Sequence, residues 1–429
     1  MTKKLTQENN YKNTEKDVSN KLTHPRVLLV GYNGANNTGA EAKLLVIINE
    51  LRSVLGSEAI FTVPSLNVAN LTRYLQESPN LKIKPIRPST FPIDIYNLVK
   101  QNDLILLVEG STYMDSWGSA LLWYYLLATR YAHQMKKPCI AYSVDAGNAS
   151  RFNRWLIRRE ASKTSLIMAR TKKAAQRLQN WQVKAPIEIT ADNAFSFQPK
   201  PEDQDILRRV WPEASHVVGM AAEDIYIWPV TMQLWDKKEF CYRWPYYYQH
   251  SKQCREKSEL LIDVLAVQAD ELVEKYNKDV ALLSMEGLDT AFTARIQQHM
   301  KHADRTKVFS STQYNASQMT SILRSLDLLI TSRYHAGVLS LPALVPQTAI
   351  GHDLRIQDFY SDLGTPELFV DHEDPDRYKK LSDNVETLFN QYSTLRNKLK
   401  TGYEAYVERE KRNQQLFRAY IEAKYPEWL

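Results

Sequence analysis

The residues best equipped for chemistry lie in one stretch, SLDLLITSRYHAGVLSLPALVPQTAIGHDLRIQDFYSDLG (325–364). An apolar run there delivers Ser332, Arg333 and His335 immediately before the small residues Ala336 and Gly337. Arg333 offers a fixed fork of donors suited to a carboxylate or phosphate, and His335 can donate to an anion or exchange a proton near neutral pH. The competing reading is an arginine paired with a local carboxylate and a histidine satisfied by backbone. The next apolar run ends in Gly351, His352, Asp353 and Arg355, a second basic cluster that would face the same crevice if the two runs are neighbouring strands.

Two further turns carry polar groups at the end of an apolar run. LLVEGSTYMDSWGSA exits into Glu109, Gly110 and Ser111, where a carboxylate can hold ligand hydroxyls or cap the next element. VGYNGANNTGAEAKLL carries Gly31, Gly34, Gly39, Asn36 and Asn37 before a helix that opens near Glu41. Glycines let backbone approach a ligand and a helix N-terminus presents free N–H groups to an anion, although a plain strand-to-helix turn has the same composition. The spacing is neither GxGxxG nor GxxxxGK[ST], so neither a dinucleotide nor a nucleoside triphosphate is indicated.

These turns need strands to position them. Short apolar runs alternate with helix-like stretches from Arg26 onward, the pattern of βαβ units and a parallel sheet. The first half supplies 26–32, 59–65, 81–87, 104–110, 138–147, 166–170 and 187–195. The second supplies 216–224, 279–286, 307–311, 327–333, 346–352 and 367–372. The expected architecture is α/β: two doubly wound Rossmann-like domains facing a cleft, with a helical C-terminus. The expected divisions are a disordered tail over 1–24, a first domain over 25–200, a second over 201–374 and C-terminal helices over 375–429. An aromatic-rich insertion, 225–253, reads as an elaborated loop, either a platform for sugar rings and a wall for the cleft or a self-packed segment or oligomer contact.

Bulk composition narrows the class. The chain has 429 residues, 24% of them charged and 44% hydrophobic, which is globular composition large enough for two cores. A net charge of +6 spread along the chain gives no basic stripe for nucleic acid. Cys139, Cys241 and Cys254 are widely spaced without a CxxC pair, which fits a reducing cytoplasm. No apolar run is long enough to span a bilayer, and the first residues lack the apolar centre of a signal peptide. Nine scattered histidines show no metal-ligand spacing.

The glycine loop, the SRYHA segment and its P-x-x-A-I-G-x-D-x-R-I continuation resemble the polysaccharide pyruvyl transferase family, over roughly Arg26 to Leu363. Asn37, Gly39, Glu41 and Ala42 match in the first loop and Ser332, Arg333 and His335 in the last, while Arg170 stands where the family's R-D pair begins. Ala40 replaces the loop aspartate, EGS replaces a Gly triplet, Thr171 follows Arg170 in place of aspartate, and His352 with Arg355 stand where a Tyr and a Lys are usual.

The resemblance implies a fold like that of two-domain GT-B glycosyltransferases and transfer of pyruvyl from phosphoenolpyruvate to two hydroxyls of a cell-surface polysaccharide or its precursor, forming a cyclic ketal. Arg333 and Arg355 would clamp the donor and His335 would hold its phosphate or protonate its methylene carbon. Glu109 or Asp192 would serve as base. Ser111, Ser332, His352, Asn37, Gly39, Glu41 and Arg170 would complete the binding site, with no cofactor and no metal. The acceptor sugar is expected to be lipid-linked or nucleotide-linked, with the protein in the cytoplasm or at the inner face of the membrane. A GT-B glycosyltransferase using a nucleotide sugar and a non-catalytic sugar-binding derivative are the alternatives.

Overall fold

The computed structural model describes residues 24–429, so nearly all of the tail expected over 1–24 lies outside the described residues. Each apolar run of the first half becomes a strand. They are β1 (Arg26–Val30), β2 (Ile60–Ser65), β3 (Leu81–Pro85), β4 (Leu104–Leu107), β5 (Cys139–Val144), β6 (Leu166–Ala169) and β7 (Ile187–Ile189). The intervening helices are α1 (Thr38–Leu55), α2 (Val68–Leu71), α3 (Phe91–Gln101), α4 (Ser119–Gln134), α5 (Arg151–Ala161) and α6 (Lys172–Asn180). All seven strands are parallel, in the order β3-β2-β1-β4-β5-β6-β7. Runs such as LILL of β4 are buried on both faces, which is why they read as continuous apolar stretches.

After α7 (Ile206–Val210) the pattern repeats with β8 (Val217–Ala221). The segment expected as a loop instead contains a small antiparallel sheet, β9 (Thr231–Met232), β10 (Cys241–Arg243) and β11 (Tyr246–Tyr247), in the order β10-β11-β9. These strands are two or three residues long, too short for an alternating pattern to show in the sequence. There follow α8 (Lys252–Glu274), β12 (Asp279–Ser284), α9 (Asp289–His299), β13 (Thr306–Ser310), α10 (Ala316–Arg324), β14 (Leu328–Thr331), α11 (Tyr334–Ser340), β15 (Gln347–Gly351), α12 (Leu354–Asp362) and β16 (Phe369–Asp371). The second parallel sheet runs β13-β12-β8-β14-β15-β16.

Both sheets start near the middle, build outward on one side and return to build the other. Neighbours β1 and β4, and likewise β8 and β14, are therefore followed by connections that part company, opening a crevice at the carboxyl edge where such sheets bind ligands. The register places Val30 beside Leu107 and Thr331 beside Ala221, so each pair of strands ends level.

The chain closes with α13 (Arg377–Asn390) and α14 (Tyr392–Lys424). Leu395 and Leu399 of α14 are buried with the second sheet, whereas Phe417 and Ile421 are buried with β1, β2 and α1 of the first. Midway, Tyr406 stacks on Phe195 with ring centroids 4.3 Å apart. One helix thus ties both halves.

Candidate active site

The two crevices face each other across a cavity of about 160 Å³. The turn after β1 contributes Tyr32, Asn37 and Gly39, and the turn after β4 contributes Glu109, Ser111 and Trp117. Opposite them stand Glu223, Glu286, Arg333, Tyr334, His335, Asp353 and Arg355. Trp228, Tyr242, Arg243 and Tyr246 of the insertion form a third wall, so the aromatic segment closes the cleft.

His335 stands in the first turn of α11 and rests on a buried charge network. Its Nε2 is 3.4 Å from Asp192 Oδ2, within ion-pair reach but without the geometry of a hydrogen bond. Asp192 also accepts from Arg170 Nη1 and stands 3.6 Å from Lys43 Nζ. Arg170 Nε donates to Asp145 Oδ2 at 2.9 Å, and the guanidinium lies 4.3 Å from the Tyr334 ring. Burial alone would raise the Asp192 pKa, but Lys43, Arg170 and His335 outweigh it and hold the carboxyl well below its ordinary range. For His335 burial wins over Asp192, and its pKa is lowered, favouring the neutral imidazole.

Two glycines make this arrangement possible. A Cβ at Gly39 would come within 2.1 Å of His335 Cγ, and one at Gly110 within 2.4 Å of Arg170 Nη1. The first lets α1 meet α11; the second lets the turn after β4 pass over the arginine.

Arg333 is enclosed by three carboxylates. Its Nε donates to Asp289 Oδ2 at 2.9 Å, its Nη2 donates to Asp289 Oδ1, and its Nη1 lies 2.9 Å from Glu223 Oε2 and 3.3 Å from Glu286 Oε2. One cation cannot neutralise three buried acids. Burial, opposed by Arg333 and reinforced by the neighbouring acids, pushes Glu223 up to about 8 and Asp289 up to about 6. Glu286 also joins the halves, accepting from Tyr32 Oη at 2.9 Å and from Asn37 Nδ2 at 2.9 Å. The Tyr32 hydroxyl pairs in turn with that of Tyr242.

Arg355 is paired with Asp353, its Nε 2.7 Å from Oδ2, and its guanidinium lies 5.5 Å from the Trp117 ring. Arg333, Arg355, His335, Glu109, Ser111, Asn37 and Gly39 all line the cavity as expected from their strand ends. The other sequence candidates lie elsewhere. Asp192 and Arg170 are fully buried in the network behind His335. Ser332 is buried, its N–H donating to Ala221. Glu41 is buried near Arg73 and Asn70, its pKa pushed up to about 8 by burial. His352 packs edge-on to Trp117 and near His372, and burial lowers it to about 4. Asn37 spends its side chain capping α1 at Ala40 and donating to Glu286, which leaves less of that helix end free for an anion than the loop suggests.

Sequence reasoning missed Tyr32, Glu223, Glu286, Asp289 and Arg243. Tyr32, Glu223 and Glu286 stand two residues beyond the ends of β1, β8 and β12, the same offset as Glu109 after β4 and Arg333 after β14. That offset was a usable signal. Arg243, on a strand invisible in the sequence, had none. Its Nη1 donates to the Leu66 carbonyl at 3.3 Å, and it is the lining guanidinium without a carboxylate partner among the described residues. Those residues also hold no group of three or more His, Cys, Asp or Glu placed for a metal ion; Glu223, Glu286 and Asp289 converge on Arg333 instead.

Two Rossmann-like domains meeting at their carboxyl edges, with a final helix returning to the first, place the chain in the GT-B-like class of two-domain α/β proteins. The chain belongs to the polysaccharide pyruvyl transferase family, whose model matches residues 37–353. Among solved structures it is similar to a putative UDP-N-acetylglucosamine 2-epimerase from Listeria monocytogenes, with a TM-score of 0.60 and 12% identity over 94% of this chain and 98% of that one. It is likewise similar to UDP-GlcNAc 2-epimerase from Neisseria meningitidis bound to UDP-GlcNAc, with a TM-score of 0.56 and 12% identity over 88% and 95% of the two chains. The S. aureus MnaA–UDP structure gives a TM-score of 0.57 and 10% identity over 87% and 90%. At such identities the likeness is one of fold. No curated protein sequence matches significantly.

Proposed function

We propose that this chain transfers a pyruvyl group from phosphoenolpyruvate to a sugar of a cell-surface polysaccharide or its precursor. The observation that carries the reading is that one cavity of a pyruvyl transferase family chain holds both Arg243, free of carboxylate partners among the described residues, and Glu223, a carboxyl that burial and its acidic neighbours push up to about 8. The donor requires both. Its phosphate and carboxylate need a cation, and its methylene carbon needs a proton before C2 becomes electrophilic.

In this reading Arg243, with the cavity face of Arg355, holds the anionic groups of the donor. Glu223 protonates C3, a sugar hydroxyl adds to C2 as Glu109 takes its proton, and phosphate leaves with the C2–O electron pair while the neutral imidazole of His335 donates a hydrogen bond to it. The second hydroxyl then closes the ketal and returns a proton to Glu223, while the proton taken by Glu109 passes to the departing phosphate. Asp192, with Arg170 and Lys43, positions His335. The ring faces of Trp228, Tyr242 and Tyr246 suit an acceptor sugar, lipid-linked or nucleotide-linked. A cytoplasmic site of action accords with three free cysteines, and no helix of the described residues is long and apolar enough to cross a membrane.

The test is thermal unfolding of wild type, Arg243→Ala and Glu223→Gln, titrated with phosphoenolpyruvate and separately with UDP sugars. Ligand at a hundredfold excess over its Kd adds about 2.7 kcal/mol to stability. Phosphoenolpyruvate is expected to stabilise wild type and Glu223→Gln but not Arg243→Ala, and Glu223→Gln is expected to release phosphate far more slowly with an acceptor. Stabilisation by UDP sugars alone would replace this reading with the glycosyltransferase.

A further inference from the structure

We propose that the outward face of α5, together with the outer side of the antiparallel insertion, docks this protein on an anionic lipid surface beside the mouth of the cavity. The proposal stands independently of the pyruvyl reading. At 100° per residue, Asn153, Ile157, Glu160 and Ala161 fall on one side of α5 and are buried, leaving Arg151, Arg154, Arg158, Arg159, Phe152 and Trp155 on the other. The helix's single acid, Glu160, is buried and paired with Lys163 and Arg159. Arg151, Arg154 and Arg158 are exposed and form no ion pair among the described residues. Phe152 and Trp155, 59% and 50% exposed, stack with ring centroids 6.0 Å apart between the arginines. Arginines and aromatic rings sharing one exposed helix face, with no exposed acid, suit a helix lying in a headgroup layer.

The insertion adds exposed apolar tips. Met232, Leu234, Trp235 and Trp244 are 65%, 64%, 81% and 57% exposed, while the acids beside them, Asp236 and Glu239, are paired with His250 and Lys237. Both patches are fastened to the 115–119 turn, a lip of the cavity. Asn153 Nδ2 donates to Asp115 and Ser119, and the Val230 N–H donates to the Trp117 carbonyl. Ile93 and Tyr96 of α3 and Trp123 of α4 are exposed as well, so α3, α4, α5 and the insertion carry nine of the thirteen exposed large hydrophobic side chains among the described residues.

The charge selects the occupant. A second copy pairing symmetrically through this face would bring the unpaired arginines of α5 against their own counterparts. A nucleic acid would satisfy the arginines but leave Met232, Leu234 and Ile93 against phosphate. An anionic bilayer accommodates both, phosphates at the arginines and acyl chains at the apolar tips.

The experiment is flotation of the full chain with vesicles of equimolar phosphatidylglycerol and phosphatidylcholine, against phosphatidylcholine alone, at low and high salt. Each arginine near such a surface strengthens binding about fivefold, so the triple variant R151Q/R154Q/R158Q should bind on the order of a hundredfold more weakly. L234S/W235S should also bind more weakly, with circular dichroism unchanged for both, since every altered side chain is exposed. R208Q/K301Q/K400Q, exposed cations elsewhere on the chain, should float like wild type. The proposal is overturned by equal binding to neutral vesicles, by no binding to either, or by full binding of R151Q/R154Q/R158Q. A wild-type dimer in sedimentation equilibrium that this variant dissolves would assign the face to a second copy and overturn the lipid reading. Retention of single-stranded DNA, with no flotation, would do the same in favour of nucleic acid.

Discussion

Asp192 is fully buried and shared by Arg170, Lys43 and His335, so removing its charge leaves cations in a low-dielectric interior. Asp192→Asn is expected to cost about 3–5 kcal/mol in urea unfolding, the range for breaking a buried pair. It should also lower the His335 titration midpoint further, because Asp192 is the neighbour that raises it. Glu223 gives the opposite linkage. Its folded-state pKa is raised, from 4.5 to about 8, so the folded protein retains a proton that the unfolded chain has lost. The stability this proton contributes is fully present below about pH 4.5 and disappears as pH rises through about 8. Glu223→Gln should flatten the fall in stability over that window by at most about 1.4 kcal/mol per pH unit, measured by denaturant unfolding at several pH values. An unchanged slope would mean that Glu223 is ionised and cannot be the proton donor.

Elements determine how close these groups come. The N-terminus of α1 reaches α11 because residue 39 lacks a side chain, and the added methyl of Gly39→Ala would drive into the His335 ring. The expected outcome is a stability loss of about 1–3 kcal/mol together with a displaced imidazole, seen as a changed His335 pKa and a loss of activity larger than the stability change explains. If Gly39→Ala lowers Tm but leaves the His335 titration intact, α1 has moved as a body and the contact is not what positions the histidine. The strands supply the other half of the geometry. Tyr32, Glu109, Glu223, Glu286, Arg333 and Asp353 each stand two residues beyond a strand end, the point at which a chain leaving a parallel sheet turns across its edge.

For the whole molecule, α14 makes the halves interdependent. Phe417, near its end, is fully buried beside Tyr142 of the first sheet, although the helix begins on the second. Phe417→Ala should cost about 3–5 kcal/mol, and calorimetry should show the wild type unfolding in one transition that the variant splits or broadens. At this scale the sequence was most legible. Runs such as VLLV, LILL and LLI are apolar at every position because both faces of a parallel sheet are covered, so they announce strands, class and candidate strand ends without any contact being known. Arg333, His335, Arg355 and Glu109 followed from that local pattern. What it could not disclose is how each side chain is satisfied. Arg333 meets Glu223, Glu286 and Asp289, residues 44 to 110 positions away, and Asp192 reaches His335 only after two domains have closed on each other. Arg243 enters the cavity on a strand three residues long. Strand identity is local, set by hydrophobic patterning, whereas charge pairing and access depend on distances fixed only when remote segments pack; the chain alone therefore determined which strand ends carry polar groups, and the tertiary structure decided which of those groups are paired and which face the cavity.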